Sequence, residues 1–370
     1  MKKLHIGVVG CGLMGGVHAQ CYARENGCEI VGYYNRSRSK AEKLAAQFGG
    51  VVFDSVEKLL AAPKIEAVSI TTSQQLHAEQ VIAAARAGKH ILCEKPAGLS
   101  TQEFEAMEAE IRARGVIFMT AHQLRFHPIV RWVRETMPQL GRAFHLQLEM
   151  PFLIHDAQGR CWADYRSGGF FMELGCHLTD LSRHLMGEVR HVSGHTLRLN
   201  PARVTEDCTH CLLQFENNAI GSILVSADHR TKRQGLLQGR VLGENGRIDF
   251  SIYPYQRAFN AATLTLDAGQ SVFVPDTQIE RFDKAQLPTS LSRDYPGFFD
   301  VYQREIHAFV AAVRDGTSPP ITFADGRAAI ELVLAAYADQ GATSDDPNFS
   351  AGLNAYRADE KCHPALLRHG

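Results

Sequence analysis

An apolar run, Leu4–Val9, stops at Gly10-Cys11-Gly12-Leu13-Met14-Gly15, and a helical pattern over residues 16–25 follows. This junction restricts the fold more than any other stretch of the chain. When a strand passes into a helix through G-x-G-x-x-G, each glycine has a separate steric task. The first permits the tight turn, the second lets backbone approach a pyrophosphate, and the third lets helix and strand close up. The unpaired amides at the positive end of the helix then offer an anion site. Gly10, Gly12, Leu13, Met14 and Gly15 are therefore expected to bind a dinucleotide.

The residues that follow support this context. Strand patterns at 4–9, 29–34, 51–53, 65–70, 90–93 and 116–120 alternate with helical patterns at 16–25, 39–48, 56–61, 76–87 and 101–114. Such alternation implies right-handed crossovers and a parallel sheet covered on both faces, an α/β arrangement. After Arg125 the texture changes. Residues 143–150 and 191–274 read mostly as strand, with turns at Glu216-Asn217-Asn218 and Glu244-Asn245-Gly246. Helical patterns at 169–185, 297–314 and 325–339 flank them. A second, α+β domain with a large, mostly antiparallel sheet is expected. The chain's 370 residues suit two to three domains, divided here as 1–122, 123–342 and an extension over 343–370.

Composition narrows the function classes. Thirty-nine Lys and Arg offset 40 Asp and Glu, giving a net charge of -1 and no electrostatic footprint for nucleic acid or a membrane surface. No apolar run reaches membrane-spanning length. Lys2 and Lys3 precede an uncharged stretch, residues 6–17, but five of its twelve residues are glycine, which suits a strand and turn better than a secretion signal. Nine cysteines without framework spacing suggest free thiols in a reducing compartment, so a cytoplasmic location is expected.

The end of the second strand selects the cofactor. An acid there would bind the ribose hydroxyls of NAD and repel a 2′-phosphate. The chain has Asn35 followed by Arg36-Ser37-Arg38. Asparagine removes the repulsion, and two arginines with a hydroxyl suit a phosphate dianion. NADP is expected over NAD.

Two further stretches carry chemistry. Glu94-Lys95-Pro96 follows the fifth strand. Ligands bind at the carboxyl ends of strands in an open parallel sheet, so Lys95 is expected to aim its ammonium at the reacting centre. Gly168-Gly169 opens a stretch running through Glu173, Gly175, His177 and Asp180. Glu173 and His177 are four apart on one helix face, and His177 and Asp180 are three apart. A carboxylate beside a histidine can orient the ring and keep its protonation near neutrality, which suits proton exchange with a substrate hydroxyl.

Taken in order, these motifs resemble the glucose–fructose oxidoreductase and inositol dehydrogenase (Gfo/Idh/MocA) family. The resemblance spans residues 4–342. Besides Gly10-x-Gly12-x-x-Gly15 and Glu94-Lys95-Pro96 it includes Leu76-His77-Ala78, Ala87-Gly88-Lys89-His90 and Arg125-Phe126-His127-Pro128. It continues through 168–180 and Phe323-Ala324-Asp325-Gly326-Arg327. It implies a Rossmann domain followed by an open-faced sheet domain, with substrate between them. Lys95 and His177 would be the catalytic pair, His177 acting as general acid/base. Thr71, Thr72, His77, Glu94, Lys95 and Pro96 would line the cofactor, and subunits would pair through the second-domain sheet as a homo-oligomer. Two positions depart from the pattern: Glu173 where aspartate is usual, and Thr71-Thr72-Ser73 where proline and asparagine are more frequent.

The expected activity is hydride transfer between NADP and a carbohydrate, polyol or keto-sugar, with Lys95, His177 and Glu173 at the reacting centre. Other readings are an NAD-dependent glycosidase, a reductase of a non-sugar ketone or imine, and a non-catalytic dinucleotide-sensing regulator. Arg125, His155, Trp162 and Asp180 are substrate candidates, with Asp156, Tyr165, Arg166 and His122 nearby in sequence. No metal site is expected. Cys208-Thr209-His210-Cys211 holds a single C-x-x-C and sits in a strand pattern, where Cys208 and His210 share one face and Cys211 points to the other.

Overall fold

A computed structural model describes residues 3–152, 167–227, 237–253, 260–275 and 298–339. The chain forms two compact units. Met1–Gln123 and Tyr302–Ala328 make the first, and Leu124–Val301 and Ala329–Gly370 the second.

In the first unit the elements alternate strictly: β1 (Leu4–Val9), α1 (Leu13–Arg24), β2 (Cys28–Tyr34), α2 (Arg38–Phe48), β3 (Val51–Val52), α3 (Val56–Ala61), β4 (Ala67–Ile70), α4 (His77–Arg86), β5 (His90–Glu94), α5 (Thr101–Arg114) and β6 (Phe118–Ala121). The strands order as β3-β2-β1-β4-β5-β6, and every pair is parallel. This is the doubly wound dinucleotide-binding sheet, whose strand order reverses between β1 and β4. Both its faces are covered, so the inner strands are buried: all four residues of β4 and all four of β6 are, the polar Ser69 and Thr120 included. Capping sets the helix ends. The Ser100 hydroxyl accepts the Glu103 amide to open α5, and Gly115 closes it in the left-handed region at φ +62°. Part of this unit comes from far along the chain. Phe323 meets Phe104 and Phe118 edge-on at 5.7 and 5.2 Å, and a Cβ on Gly326 would lie 2.2 Å from the Thr120 hydroxyl.

The second unit holds α6 (Pro128–Thr136), β7 (Ala143–Pro151), a π-helical turn (Phe171–Gly175), α7 (Cys176–Met186), β8 (Val189–Leu197), β9 (Cys208–Phe215), β10 (Ile220–Ser226), β11 (Leu237–Gly243), β12 (Gly246–Ile252), β13 (Ala261–Leu266) and β14 (Ser271–Pro275). Its eight strands order as β14-β13-β12-β11-β7-β10-β9-β8. All pairs are antiparallel except β7–β10. Helices α6 and α7 pack on one face, and residues alternate accordingly: Cys211, Leu213 and Phe215 are buried while His210, Leu212 and Gln214 are exposed. The expected turns are present, with Glu244-Asn245 linking β11 to β12 and Asn218 at φ +66° before β10. Two later helices, α8 (Phe298–Asp315) and α9 (Phe323–Ala338), complete the described chain. Among the described residues no helix is long and apolar enough to cross a membrane.

Candidate active site

The glycine turn divides its steric tasks as the motif requires. Gly10 adopts φ +98°, and a Cβ there would lie 2.7 Å from the Thr71 backbone. A Cβ on Gly15 would lie 2.0 Å from the Gly10 carbonyl oxygen, so only glycine allows this approach of helix to turn. Gly12 differs: nothing lies within 4 Å of where its Cβ would stand. It is the N-cap of α1, with no side-chain cap and no acidic residue in the first turn. An open, uncapped helix N-terminus between β1 and β4 fits a dinucleotide pyrophosphate. Leu13 beside it is exposed, and Met14 is half-buried.

Asn35 is anchored to this turn, since its Oδ1 accepts the Cys11 amide at 2.8 Å while its Nδ2 donates to the Ser37 carbonyl at 2.9 Å. The two arginines beyond it differ. Arg38 opens α2 and donates to Glu42 and Asp54 at 2.9 and 2.8 Å. The exposed Arg36 guanidinium makes no hydrogen bond or ion pair with any described residue. Ser37 is exposed at the N-cap, its hydroxyl not used in capping.

Hydrogen bonds connect the turn to Lys95. The Thr71 hydroxyl donates to the Gly10 carbonyl at 2.7 Å, and the Thr72 hydroxyl to Gln80 Oε1 at 2.7 Å. Buried His77 donates from Nδ1 to the Pro96 carbonyl at 2.8 Å, and its Nε2 faces the Thr72 carbonyl at 3.1 Å. One imidazole thereby ties the loop after β4 to the loop after β5. Glu94 Oε2 accepts the Lys95 amide at 3.1 Å, and its Oε1 lies 3.2 Å from His18 Nε2. The other His18 nitrogen is 2.7 Å from the Ser69 hydroxyl. Burial alone would raise the Glu94 carboxyl, but His18, then Lys95 and His77, hold it below the usual carboxylate range. Glu305 is wholly buried, and neither carboxyl oxygen has a hydrogen-bond partner among the described residues. Burial, then the Glu94 charge, pushes its carboxyl well above that range. His18, Ser69 and Glu305 were not foreseen from the sequence. His18 sits on the helix opened by the glycine motif, but only the fold brings Ser69 and Glu94 to it, and Glu305 within reach of the Glu94 charge.

The second unit carries the other candidates. His177 is buried in the first turn of α7, and Glu173 is half-buried in the π-helical turn before it. Four-residue spacing assumes α geometry, whereas residues 171–175 are wound with i→i+5 bonds. A Cβ on Gly175 would meet the Phe171 ring at 2.3 Å, so ring and glycine are matched across this widened turn. The Asp180 oxygens are taken by Arg125, which donates from Nε at 2.9 and 3.1 Å and from Nη2 at 2.6 Å. The two described substrate candidates thus bind each other in a nearly buried ion pair, and the carboxylate three residues from His177 serves an arginine. His155, Asp156, Trp162, Tyr165 and Arg166 lie outside the described residues. Cys176 is buried and donates to the Glu173 carbonyl. Cys208 and His210 share a strand face opposite Cys211, whose thiol burial pushes up. Among the described residues no group of three or more His, Cys, Asp or Glu could hold a metal ion.

On the open sheet face, a shallow depression of about 450 Å³ is lined by Gln147, Glu149, Arg240, Asp249, Thr263 and Phe273. Leu212 and Ile220 are exposed on the neighbouring strands.

Comparison with known proteins agrees with this fold. Residues 4–122 match the profile of an oxidoreductase family's NAD-binding Rossmann fold, and residues 154–342 match the same family's C-terminal alpha/beta domain. The scyllo-inositol 2-dehydrogenase (NAD(+)) of Bacillus subtilis is 26% identical, over 90% of this chain and 93% of its own. The D-xylose 1-dehydrogenase (NADP(+)) 2 of Haloferax volcanii is 27% identical over 84% and 89%. Among solved structures, a levoglucosan dehydrogenase in complex with NADH and levoglucosan superposes with a TM-score of 0.75 at 22% identity, covering 92% of this chain and 98% of that one. This last likeness shows the shared fold.

Proposed function

The chain belongs to the Gfo/Idh/MocA oxidoreductase family, and from that premise we propose that it transfers hydride between NADP and a hydroxyl-bearing carbohydrate or polyol, or the corresponding keto-sugar. The nicotinamide supplies the hydride acceptor when bound. The chain's part is to bind, orient and move a proton. The open N-terminus of α1 takes the pyrophosphate, and Arg36 takes the 2′-phosphate. His177 removes the substrate hydroxyl proton during oxidation and returns it during reduction, while Lys95 stabilises the negative charge that develops on oxygen. Glu173 sets the electrostatics around His177, and Arg125 and Asp180 shape the pocket as a pair. The observation that carries this reading is the loop after β5. Lys95 stands at the carboxyl end of the parallel sheet, its amide on Glu94, which in turn meets His18 of α1, and the carbonyl of its neighbour Pro96 meets His77 of α4. The relatives' dehydrogenase names support the substrate class. The exposed apolar residues of the open sheet face support pairing of subunits there, and a monomer by light scattering would refute that pairing.

The test is a spectrophotometric screen of scyllo-inositol, myo-inositol, D-xylose and levoglucosan against NADP+ and NAD+, following reduced nicotinamide. Turnover of at least one, faster with NADP+, is the expected result. No change in absorbance with any of them refutes the substrate class, and a preference for NAD+ refutes the assignment of Arg36.

A further inference from the structure

The segment that carries Glu173 and His177 begins on two glycines, and a carboxylate fills the space where a side chain would stand. Gly168 and Gly169 adopt φ +92° and +86°. A Cβ on Gly169 would lie 2.7 and 2.8 Å from the two Glu206 carboxyl oxygens and 3.0 Å from the Tyr337 hydroxyl. Glu206 reaches this point from the loop before β9, and Tyr337 from α9; both are buried. Glu206 Oε1 accepts the Phe171 amide at 2.7 Å and also bonds the Tyr337 hydroxyl. That hydroxyl accepts the Met172 amide at 3.2 Å and lies 3.1 Å from the Gly168 carbonyl oxygen. Its single proton goes to Glu206 or to Gly168. Two side chains distant in sequence therefore hold the glycine pair and the first amides of the π-helical turn.

A helix start leaves amides unpaired, and a buried amide without an acceptor is costly. Here the acceptors come from inside the protein. The turn they hold runs directly into α7, so a shift at Phe171 and Met172 moves the start of the helix on which His177 sits.

We propose that Glu206 and Tyr337 form an internal anchor that fixes the turn at 168–172 and thereby positions His177 for proton transfer. Neither touches the reacting atoms in this assignment, and both are positioning residues. The proposal rests on the reading of His177 as acid/base.

Hydrogen–deuterium exchange and steady-state kinetics on the full chain test it, using wild type, Glu206→Gln, Glu206→Ala, Tyr337→Phe and, as a control, His177→Ala. In Glu206→Ala and Tyr337→Phe, peptides covering 168–186 should exchange about tenfold faster while β8–β10 keep their protection. On whichever substrate of the four-compound screen the wild type turns over, kcat should fall about tenfold, with KM for the nicotinamide cofactor unchanged. Glu206→Gln keeps a carbonyl oxygen for the Phe171 amide and should fall between wild type and Glu206→Ala in both measurements. Unchanged exchange at 168–186 in folded Glu206→Ala and Tyr337→Phe overturns the anchor. Faster exchange with wild-type kcat, or loss of protection throughout the unit in all three variants, overturns the positioning role. Wild-type turnover by His177→Ala overturns the reading of His177 and leaves the anchor to the exchange data. Those data also decide the anchor if the wild type turns over none of the four substrates.

Discussion

Two glycine-rich turns, one before α1 and one before the segment that runs into α7, use their missing side chains in opposite ways. At Gly12 the space stays open and the helix has no side-chain cap. At Gly169 the space is filled by Glu206, and the turn's amides already have acceptors. Both turns answer the demand of a helix start for negative charge. The first leaves that demand to a ligand, and the second meets it with a carboxylate of its own. Glycine in a turn therefore identifies a binding site only where the structure leaves the space empty.

The largest expected effects fall on the two groups proposed for the reacting centre, Lys95 in the loop after β5 and His177 on α7. Lys95→Ala and His177→Ala should each lower kcat by about 10³-fold, in the range of a lost acid/base or charge-stabilising group. Equilibrium binding of the reduced cofactor, followed by fluorescence, should stay near the wild-type value. Wild-type turnover by either variant removes that residue from the reacting centre.

A valine at each turn should separate an open space from a filled one. Gly12 has φ -79° and no neighbour near its Cβ position, so Gly12→Val should fold with an unchanged Tm. It should weaken cofactor binding on the order of 100-fold, because the side chain occupies the place of the pyrophosphate. Gly169→Val combines a positive φ, costing roughly 1–2 kcal/mol, with a collision against Glu206 costing about 1–3 kcal/mol. Its Tm should fall by roughly 5–10 °C. A stable Gly169→Val, or full cofactor binding by Gly12→Val, would erase the contrast.

The sequence showed one of these turns in full and only half of the other. The first is local: an apolar strand, three spaced glycines and a helix lie within some twenty residues, and β1 matches its expected bounds. So do α3, opened by Ser55, and α5, opened by Ser100 and closed by Gly115, because caps are also local signals. Gly168-Gly169 was visible as a motif, but its occupant comes from residues 206 and 337. Nothing around Glu206 distinguishes it from an ordinary loop acid. The π-helical turn was hidden for a different reason: Phe171 and Gly175 are local, but their four-residue spacing reads equally well as an ordinary α-helix. Helix α6 was missed although its signals are local: Pro128 at the first position, His127 capping the Ile129 amide, and Ile129, Val130 and Val133 at helical spacing. The strand texture on either side obscured them. The parallel pairing of β7 with β10 in an otherwise antiparallel sheet leaves no mark in either strand.

An internal anion responds to pH, which an empty helix start does not. Burial pushes the Glu206 carboxyl up to about 7 from 4.5, against the lowering by the Tyr337 hydroxyl and the Phe171 and Phe170 amides. The neighbouring charges, Arg203 and Asp207, are paired with each other at 3.0 Å. A carboxyl raised in the folded state favours folding when protonated. Its contribution is complete below the unfolded value and is lost as pH rises from about 4.5 through about 7. The full swing is on the order of 3 kcal/mol. Glu206→Gln, which cannot ionise, should flatten that part of the Tm–pH curve relative to wild type, while Gly12→Val should leave the curve unchanged. A Glu206→Gln curve parallel to wild type would mean that Glu206 is ionised throughout.

The smallest expected effect concerns the second anion that the open turn would bring, a 2′-phosphate. Arg36 and Arg38 are two residues apart, yet only Arg38 is committed, to Glu42 and Asp54. If the space above Gly12 belongs to a dinucleotide, the uncommitted guanidinium of Arg36 is the group left to read its phosphate. Arg36→Ala should raise KM for NADP+ about tenfold, the loss of one exposed charge-assisted contact, and leave KM for NAD+ unchanged. Arg38→Ala removes exposed ion pairs worth about 0–1 kcal/mol and should shift Tm slightly without changing the NADP+/NAD+ ratio. The opposite pattern, with Arg38→Ala changing cofactor preference and Arg36→Ala silent, would mean that the α2 ion pairs open to admit the phosphate. This part of the first turn would then be built like the second, with its charge held by the protein until a ligand displaces it.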